Sequence, residues 1–597
     1  MKTFFLCSIG PVQDFIATAR KSRDLWYGSW LLSELSKVVA KHISDNYRFE
    51  DLIFPSPDDQ NLLGRDQDFN VPNKIMATLD QFDPAKATEI LVAMDEFLEN
   101  LWVEARKKVG GPLDTEELAK AQITDIVEFY WAAVPYENEK DYPIAREKAE
   151  ALLASRKNTR NFKQHVGSNK PKSSLDGFRE SVIPRNAYPT QSDPPEERIA
   201  KINALFHKYH AGEAEQLSGV DLLKRLGEIQ KSLKFPSTSD LAADSFLERI
   251  NKGDVTKSNE NKILKDIKEN ILFPHGWSDS DIGEDRSLVF ESRLAEFLPA
   301  KEDREKARNK LSEILKPFVG ELRPNPYYAL IIADGDNMGK LIDSMKTPDE
   351  HRNLSKKISA LALDVPGIFK DHNGACIYAG GEDILGYLPL QNALACAEVL
   401  HQKFEDAMTG YSFEDIDGKQ KSPTLSGGIV IGHHLTPLSD IFTLARKAEK
   451  EAKRVRDKNS LAIILNKRSG SEKMIIGKWS ELIMRLEIMT ELFRKDWIST
   501  GTAYELQNLA FDLEGIGIQE EEVALSDEAM RIIKRKRQSG SDEKLTSKVL
   551  CQFESWLISD KFPINQVAQE MIIAKEFASS EDLANKPIKE VLKCRNG

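Results

Sequence analysis

Residues 378–388, YAGGEDILGYL, set two glycines and two acids between apolar runs. That pattern predicts a β-hairpin, because adjacent glycines turn the backbone with no Cβ in the way. The acids leave two readings open: Glu382 and Asp383 are ordinary turn residues, or they are oxygen donors for a hard cation. Upstream, YYALIIADGD (residues 327–336) reads as a strand that runs straight into acids, with Asp334 near its end. Antiparallel pairing of this strand with the hairpin would bring Asp334 beside Glu382 and Asp383.

The elements around the hairpin predict its fold. After the first strand come the helix NLSKKISALALDVPGIF, the hairpin strands ACIYA and ILGYLPL, the helix NALACAEVLHQKFEDAM and the strand TLSGGIVIG. This is a βαββαβ order, the ferredoxin-like plan of one antiparallel sheet with helices on a face. A further helix, LSDIFTLARKAEKEAKRV, and a closing strand, SLAIILN, complete residues 321–470. Residues 1–138 repeat the plan through KTFFLCSIG, a long helix from Val12, DLIFP, NKIMATL, a second helix from Ala87 and DIVEFYWAAV. The copies share pattern rather than letters. Residues 139–320, rich in charge, Pro, Ser and Lys, read as a helical insert, and residues 471–597 as a C-terminal helical bundle. The expected class is α+β, with two ferredoxin-like domains.

Composition narrows the function. The 597 residues exceed what one core holds, so several domains are expected. With 83 basic and 95 acidic side chains the net charge is −12, which argues against a free-standing binder of nucleic-acid backbone. Contact with RNA would be local or shared with partner subunits. The five cysteines are scattered without a CxxC pair, so neither a disulfide framework nor an intact zinc ribbon is expected, and a reducing cytoplasm fits. The apolar N-terminal run is short and meets Pro11, Gln13 and Asp14 at once, which suits a buried strand better than a signal peptide. No window is long enough for a membrane span.

Convergent carboxylates suit Mg²⁺ or Mn²⁺, which take oxygen ligands and leave room for phosphate oxygens. A two-metal site of that kind supports phosphoryl or nucleotidyl transfer. Gly380 and Gly381 would let a triphosphate approach closely. Lys453, late in LARKAEKEAKRVRDKN, could meet the β- and γ-phosphates, although a solvated helix face explains the same letters.

ADGD, GGED, SGGI (residues 426–429) and ARKAEKEAKRVRDKN together resemble the nucleotide cyclase and GGDEF palm. Longer phrases are more specific: SIGPVQDFIATARKSRDLWYGSWLLSELS, RKNTRNF, DLLKRLG, FPSTSDLAA and YYALIIADGDNMGKL. They resemble the large polymerase/cyclase subunit of type III CRISPR effector complexes, the Cas-ten family, in its Cmr branch. The resemblance runs collinearly from residue 1 to about residue 470. It implies a cytoplasmic antiviral subunit that makes a nucleotide second messenger from ATP when its guide-RNA complex binds target RNA. It implies other Cmr-type subunits, guide RNA and target RNA as partners. It also assigns roles: Asp334, Glu382 and Asp383 as metal ligands, Gly380, Gly381, Ser426 and Gly428 along the nucleotide, Lys453 on the triphosphate. Residues 1–138 would form a non-catalytic partner palm, whose GPVQ and RKSRDLW segments either contact the partner nucleotide or serve helix packing.

Three departures qualify the resemblance. The family usually has GGDD where this chain has GGED. No HD dipeptide occurs, so the His-Asp nuclease activity of many relatives is not expected; the pair His433 and His434 would point to opposite faces of a strand and share no metal. Where relatives carry a zinc-binding CxxC, this chain reads KSSLDG, with Ser173 and Asp176 at the cysteine positions, so no zinc is expected and packing would hold the insert. The resemblance leaves the acceptor open between a second nucleotide, giving cyclic oligoadenylate, and S-adenosylmethionine, giving an AMP conjugate. A catalytically silent scaffold is the alternative function, and a free-standing diguanylate cyclase a weaker one. KRKR (residues 534–537) is either an RNA contact or a solvated helix face.

Overall fold

The computed structural model describes the chain apart from residues 160–167, 229–235, 284, 299, 416, 469, 516–522, 536–542, 560–561 and 589–597. The end of RKNTRNF, Phe235 of FPSTSDLAA, and Lys536 and Arg537 of KRKR lie outside the described residues.

The first domain has four strands, β1 (Lys2–Gly10), β2 (Leu52–Phe54), β3 (Lys74–Asp80) and β4 (Glu128–Tyr136), in the order β2-β3-β1-β4 and antiparallel throughout. That is the sheet order βαββαβ demands. Alternation along β1 sorts its side chains: Phe5, Cys7 and Ile9 pack with α1 (Ser22–Asn46) and α2 (Ala85–Arg106), while Phe4 and Leu6 pack with α3 (Tyr142–Asn158). Both faces of the sheet are therefore covered.

The insert is tied to α1 by charge. Helix α4 (Gly219–Leu226) carries Arg225, whose guanidinium lies 2.5 Å from Asp24 and 2.8 Å from Glu215, all three buried. The neighbouring Lys224 ammonium donates to the carbonyls of Phe15 and Thr18. Arg23 donates to the Gly227 carbonyl at 2.7 Å and Lys21 to that of His210 at 3.1 Å. RKSRDLW therefore serves packing against the insert. The insert is packed into the core as expected, through Val182, Leu217, Leu222 and Leu223 among others, with Leu175 of KSSLDG against them, and hydrogen bonds add to this at KSSLDG. Asp221 accepts from the Ser173 and Ser218 hydroxyls at 2.7 Å each, and Asp176 accepts from the amides of Phe178 and Arg179 at 2.9 and 3.0 Å. Helix α5 (Thr238–Asn251), capped by Ser237, follows.

The second sheet contains β5 (Tyr327–Asp336), β6 (Ala375–Gly380), β7 (Asp383–Pro389), β8 (Thr424–His433), β9 (Ser460–Asn466) and β10 (Lys473–Lys478), in the order β10-β9-β8-β5-β7-β6. The four strands β8-β5-β7-β6 repeat the ferredoxin order, β9 joins parallel to β8, and β10 closes that edge antiparallel. The strand β10 corrects the reading of this stretch as the start of a helical bundle: MIIG between lysines gains its strand character only by pairing with β9. Helices α6 (Pro348–Asp371) and α7 (Ala393–Met408) cover one face. Helix α8 (Leu438–Arg454) covers the other, burying Leu438, Ile441, Phe442, Ala445, Ala448 and Ala452 at helical spacing. Helices α9 (Trp479–Arg494) and α10 (Ile564–Leu583) pack beyond α7, with Arg485 paired to Glu570 at 2.7 Å in the buried interface.

His433 and His434 do not point to opposite faces. Their rings stack with centroids 4.9 Å apart, because β8 ends at His433 and strand alternation stops there. No helix among the described residues is long and apolar enough to cross a membrane.

Candidate active site

The hairpin forms as its glycines predict. Gly381 has φ +85°, a left-handed conformation that costs a side chain about 1 kcal/mol or more. A Cβ on Gly380 would run into the Tyr378 ring. One end of the hairpin is held by the first domain, where the Asn70 side-chain amide donates to the Ala379 carbonyl on the outer strand β6 at 2.9 Å.

Register assembles the acids. Ser426 lies opposite Asp334 on one side of β5, and on the other Ala333 lies opposite Ile384, so Asp383 comes next to Asp334. Asp334 and Asp336 share the face covered by α8, and so does Asp383, since Leu385 and Tyr387 of the same parity pack there with Tyr328 and Leu330. Glu382 departs from the expected set. A Cβ built on Gly335 would lie 2.9 Å from the Glu382 Cβ and 3.1 Å from Phe404, which places the start of that side chain on the opposite face. Glu382 sits in the turn, between the paired Gly380 and Asp383, and Asp383 opens β7, so the two adjacent acids leave the backbone on different sides.

Helix α8 supplies the cation. The Lys453 ammonium bonds to the Asp334 carboxylate and lies 3.0 Å from Glu449, one turn back on the helix. Asp334 and Lys453 keep 25% and 26% of their side-chain surface exposed, so a ligand can reach both. Asp336 lies deeper, 1% exposed. One of its oxygens accepts from the Thr424 and Ser426 hydroxyls, at 2.9 and 2.6 Å, and from the Asn459 amide at 3.2 Å. Its other oxygen is buried without a hydrogen-bond partner, 3.9 Å from the Lys458 ammonium.

Ser426 and Gly428 lie behind the carboxylates. Ser426 is fully buried and its hydroxyl is spent on Asp336. At Gly428 a Cβ would come within 2.6 Å of the Ala448 Cβ, so this glycine lets α8 approach the sheet.

Burial of acids near one another shapes their protonation. Burial raises Glu382 to about 7, with the neighbouring Asp383 charge adding to it. Burial alone lifts Asp383 to about 6. Glu449 is pushed up to about 7 by burial and by the charges of Asp383 and Asp336. Among the described residues no three Asp, Glu, His or Cys side chains stand ready as a metal-ligand set, so Asp334, Glu382 and Asp383 are not assembled into one. The donor chemistry nevertheless suits a hard divalent cation: oxygen donors only, an unpartnered buried oxygen on Asp336, and carboxyls short of positive charge.

Sequence reasoning missed Asp336, Glu449, Asn70 and Arg446. Arg446, on α8, stacks over Phe442 at 4.6 Å, and its Nε and one Nη are buried without hydrogen-bond partners. The signal for Glu449 was its spacing of four from Lys453. Asn70 had none, being a loop residue whose partner is remote in the chain.

Residues 4–128 match the family described as CRISPR-associated protein Cmr2, N-terminal, and residues 327–462 match Cas10/Cmr2, second palm domain. The second domain is thus similar to the Cas10/Cmr2 second palm. The second match contains the whole cluster, from Asp334 to Lys453. The CRISPR system Cmr subunit Cmr2 of Pyrococcus furiosus is 26% identical over 578 residues, covering 83% of this chain. The chain spans 64% of the length of that curated relative. Two solved type III-B Cmr-beta structures share the fold. The apo state superposes with TM-score 0.62 at 14% identity, covering 91% of this chain and 78% of its counterpart. The state bound to cognate target RNA gives 0.61 at 14% identity, covering 91% and 79%.

Proposed function

We propose that this chain is the polymerase/cyclase subunit of a type III-B CRISPR effector complex, and that its second palm makes a nucleotide second messenger from ATP. The observation that carries the reading is the pairing of Asp334 and Asp383 on one face of the sheet, with Lys453 reaching over from α8. Asp334 and Asp383 would hold Mg²⁺ or Mn²⁺, Glu382 starting from the opposite face, and the ion would supply charge to balance the phosphates and the leaving pyrophosphate. Gly380 and Gly381 would line the approach of the triphosphate, and Lys453 would pair with its β- and γ-oxygens. An acceptor hydroxyl forms a bond to the α-phosphorus, the α–β bridging bond breaks, pyrophosphate leaves and the hydroxyl proton passes to solvent. Repeated on adenosine 3′-hydroxyls this gives cyclic oligoadenylate. S-adenosylmethionine as acceptor would give an AMP conjugate.

Other Cmr-type subunits, guide RNA and target RNA are the proposed partners. The net charge of −12 supports shared rather than solitary contact with RNA. One observation favours a silent scaffold: Asp334 is already neutralised by Lys453. A single experiment separates the readings. The reconstituted guide-RNA complex receives ATP, Mg²⁺ or Mn²⁺ and target RNA, with and without S-adenosylmethionine, and products are read by mass spectrometry. Oligoadenylate or an AMP conjugate, lost in Asp383→Asn, supports the synthase. Unconsumed ATP in every arm leaves the scaffold.

A further inference from the structure

One ammonium at this site serves two carboxylates. Lys453 bonds to Asp334, a proposed cation ligand, and at the same time lies 3.0 Å from Glu449, which neither the expected ligand set nor the expected nucleotide contacts include. The two carboxylates belong to different elements. Asp334 is fixed on β5, whereas Glu449 and Lys453 sit one turn apart on α8, where an i,i+4 pair keeps contact with little movement of either side chain.

If Asp334 held a divalent cation, its Lys453 partner would be repelled and would lose the carboxylate oxygen it bonds to. Lys453 must then leave Asp334 without leaving the site. Glu449 is the acid already in contact with it. The other charges facing this point are Asp383, Asp336, Lys458 and Arg446; the two cations cannot receive an ammonium, and Asp336 already faces Lys458. Glu449 itself would otherwise be a half-buried carboxylate beside two more acids.

We propose that Glu449 is a positioning residue that receives Lys453 when Asp334 engages a divalent cation, so that one helix turn exchanges a closed Asp334–Lys453 pair for an open ligand and a lysine held ready for phosphate. The inference rests on the nucleotidyltransferase reading. It gives Glu449 a role without contact to the reacting atoms, and it makes cation binding and lysine release a single event.

The test is a double-mutant cycle read by Mn²⁺ binding to the full chain without nucleotide, using electron paramagnetic resonance of free Mn²⁺. Glu449→Gln is expected to weaken Mn²⁺ binding roughly fivefold to tenfold when Lys453 is present and less than about twofold in a Lys453→Met background, because the effect passes through the lysine. Lys453→Met alone is expected to tighten binding by freeing Asp334, and Glu449→Asp to restore most of the affinity. Equal effects of Glu449→Gln in both backgrounds would mean a plain through-space charge effect and overturn the proposal. So would no effect in either, with circular dichroism confirming that each variant is folded. If wild type binds no Mn²⁺, or Asp334→Asn binds it as well as wild type, the reading of the site itself fails, which is a different result from a flat cycle.

Discussion

The Ser426 hydroxyl donates to the Asp336 carboxylate at 2.6 Å, and neither residue exposes more than 1% of its surface. This places Ser426 in the support of the acidic cluster rather than at its mouth. Thr424 and the Asn459 amide bond to the same oxygen, so β5, β8 and the start of β9 meet on one carboxylate. Ser426→Ala should therefore cost stability, about 1.5–3 kcal/mol for a hydrogen bond to a charged group, and leave the KM for ATP unchanged. A thermal melt and a substrate titration check this. An unchanged melting temperature with a raised KM would instead make Ser426 a nucleotide contact.

Arg225 is expected to be among the residues least tolerant of change. Its guanidinium answers both Asp24 and Glu215, and all three are buried. Arg225→Met would leave two carboxylates without their cation, a loss of about 3–5 kcal/mol. The urea midpoint of the full chain should fall accordingly, and Asp24→Leu added to Arg225→Met should recover part of it. A midpoint unchanged by Arg225→Met would mean that the insert is not anchored through this pair.

Much of this was legible in the sequence because two periodicities are strong. FFLCSI and ALIIAD are buried strands that no amphipathic helix would write, and the α8 stretch places its apolar residues at helical spacing. Asp334 and Asp383 lie side by side because sheet register fixes strand neighbours, whereas Lys453 reaches Asp334 from α8. The misses have a different origin. β10 is short and flanked by charge, so only its partner β9 makes it a strand. Glu382 directly precedes β7, and alternation along that strand sets it on the face opposite Asp383, a consequence the expected ligand set overlooked. Ser173 and Asp176 read as residues at the resemblance's zinc-ligand positions, but nothing in the sequence told that they would cap their own loop through hydrogen bonds. Asn70 depends on a contact between domains that has no local signature.

Asn70 supplies a side-chain hydrogen bond from the first domain to the Ala379 carbonyl, on the strand that enters the hairpin. Asn70→Ala should loosen that edge while leaving the rest of the sheet unaffected. Amide exchange at residues of β6 is expected to quicken roughly threefold to tenfold, the equivalent of one hydrogen bond of about 1 kcal/mol, with no change in β8 or β9. Uniform exchange across the sheet in both proteins would show that the contact does not steady the hairpin.

The raised acids make the site respond to pH. Asp383 at about 6, and Glu382 and Glu449 at about 7, hold protons in the folded state that the unfolded chain has already lost above its ordinary carboxyl values of 3.8 and 4.5. Between those values and about 7 the native state binds more protons than the unfolded state, so these groups lower stability as pH rises. Lys74 works against the shift at Glu382 and Arg446 against that at Glu449. A divalent cation should reverse the trend, since it needs the same carboxyls ionised. Added Mn²⁺ should thus raise the melting temperature little near pH 5.5 and more near pH 7.5, and Asp383→Asn should flatten the difference. The same Mn²⁺ effect at both pH values would exclude these acids as its site.

Gly428 marks how closely helix and sheet must approach for the site to exist. A Cβ there would fall 2.6 Å from the Ala448 Cβ and 2.8 Å from the Glu449 amide nitrogen, both backbone or near-backbone atoms with no rotamer to give way. Gly428→Ala must push α8 outward, and α8 carries Glu449 at the contact itself and Lys453 one turn further on. Overpacking of this kind typically costs about 1–3 kcal/mol. The substitution should therefore lower the melting temperature and weaken Mn²⁺ binding together, although residue 428 touches no ligand in this arrangement. Ser426→Ala is the comparison, because it removes a bond beneath the site without moving the helix. If Gly428→Ala melted as wild type does but lost ATP affinity, the glycine would be serving nucleotide approach, and the fit of α8 against β8 would not be what sets its identity.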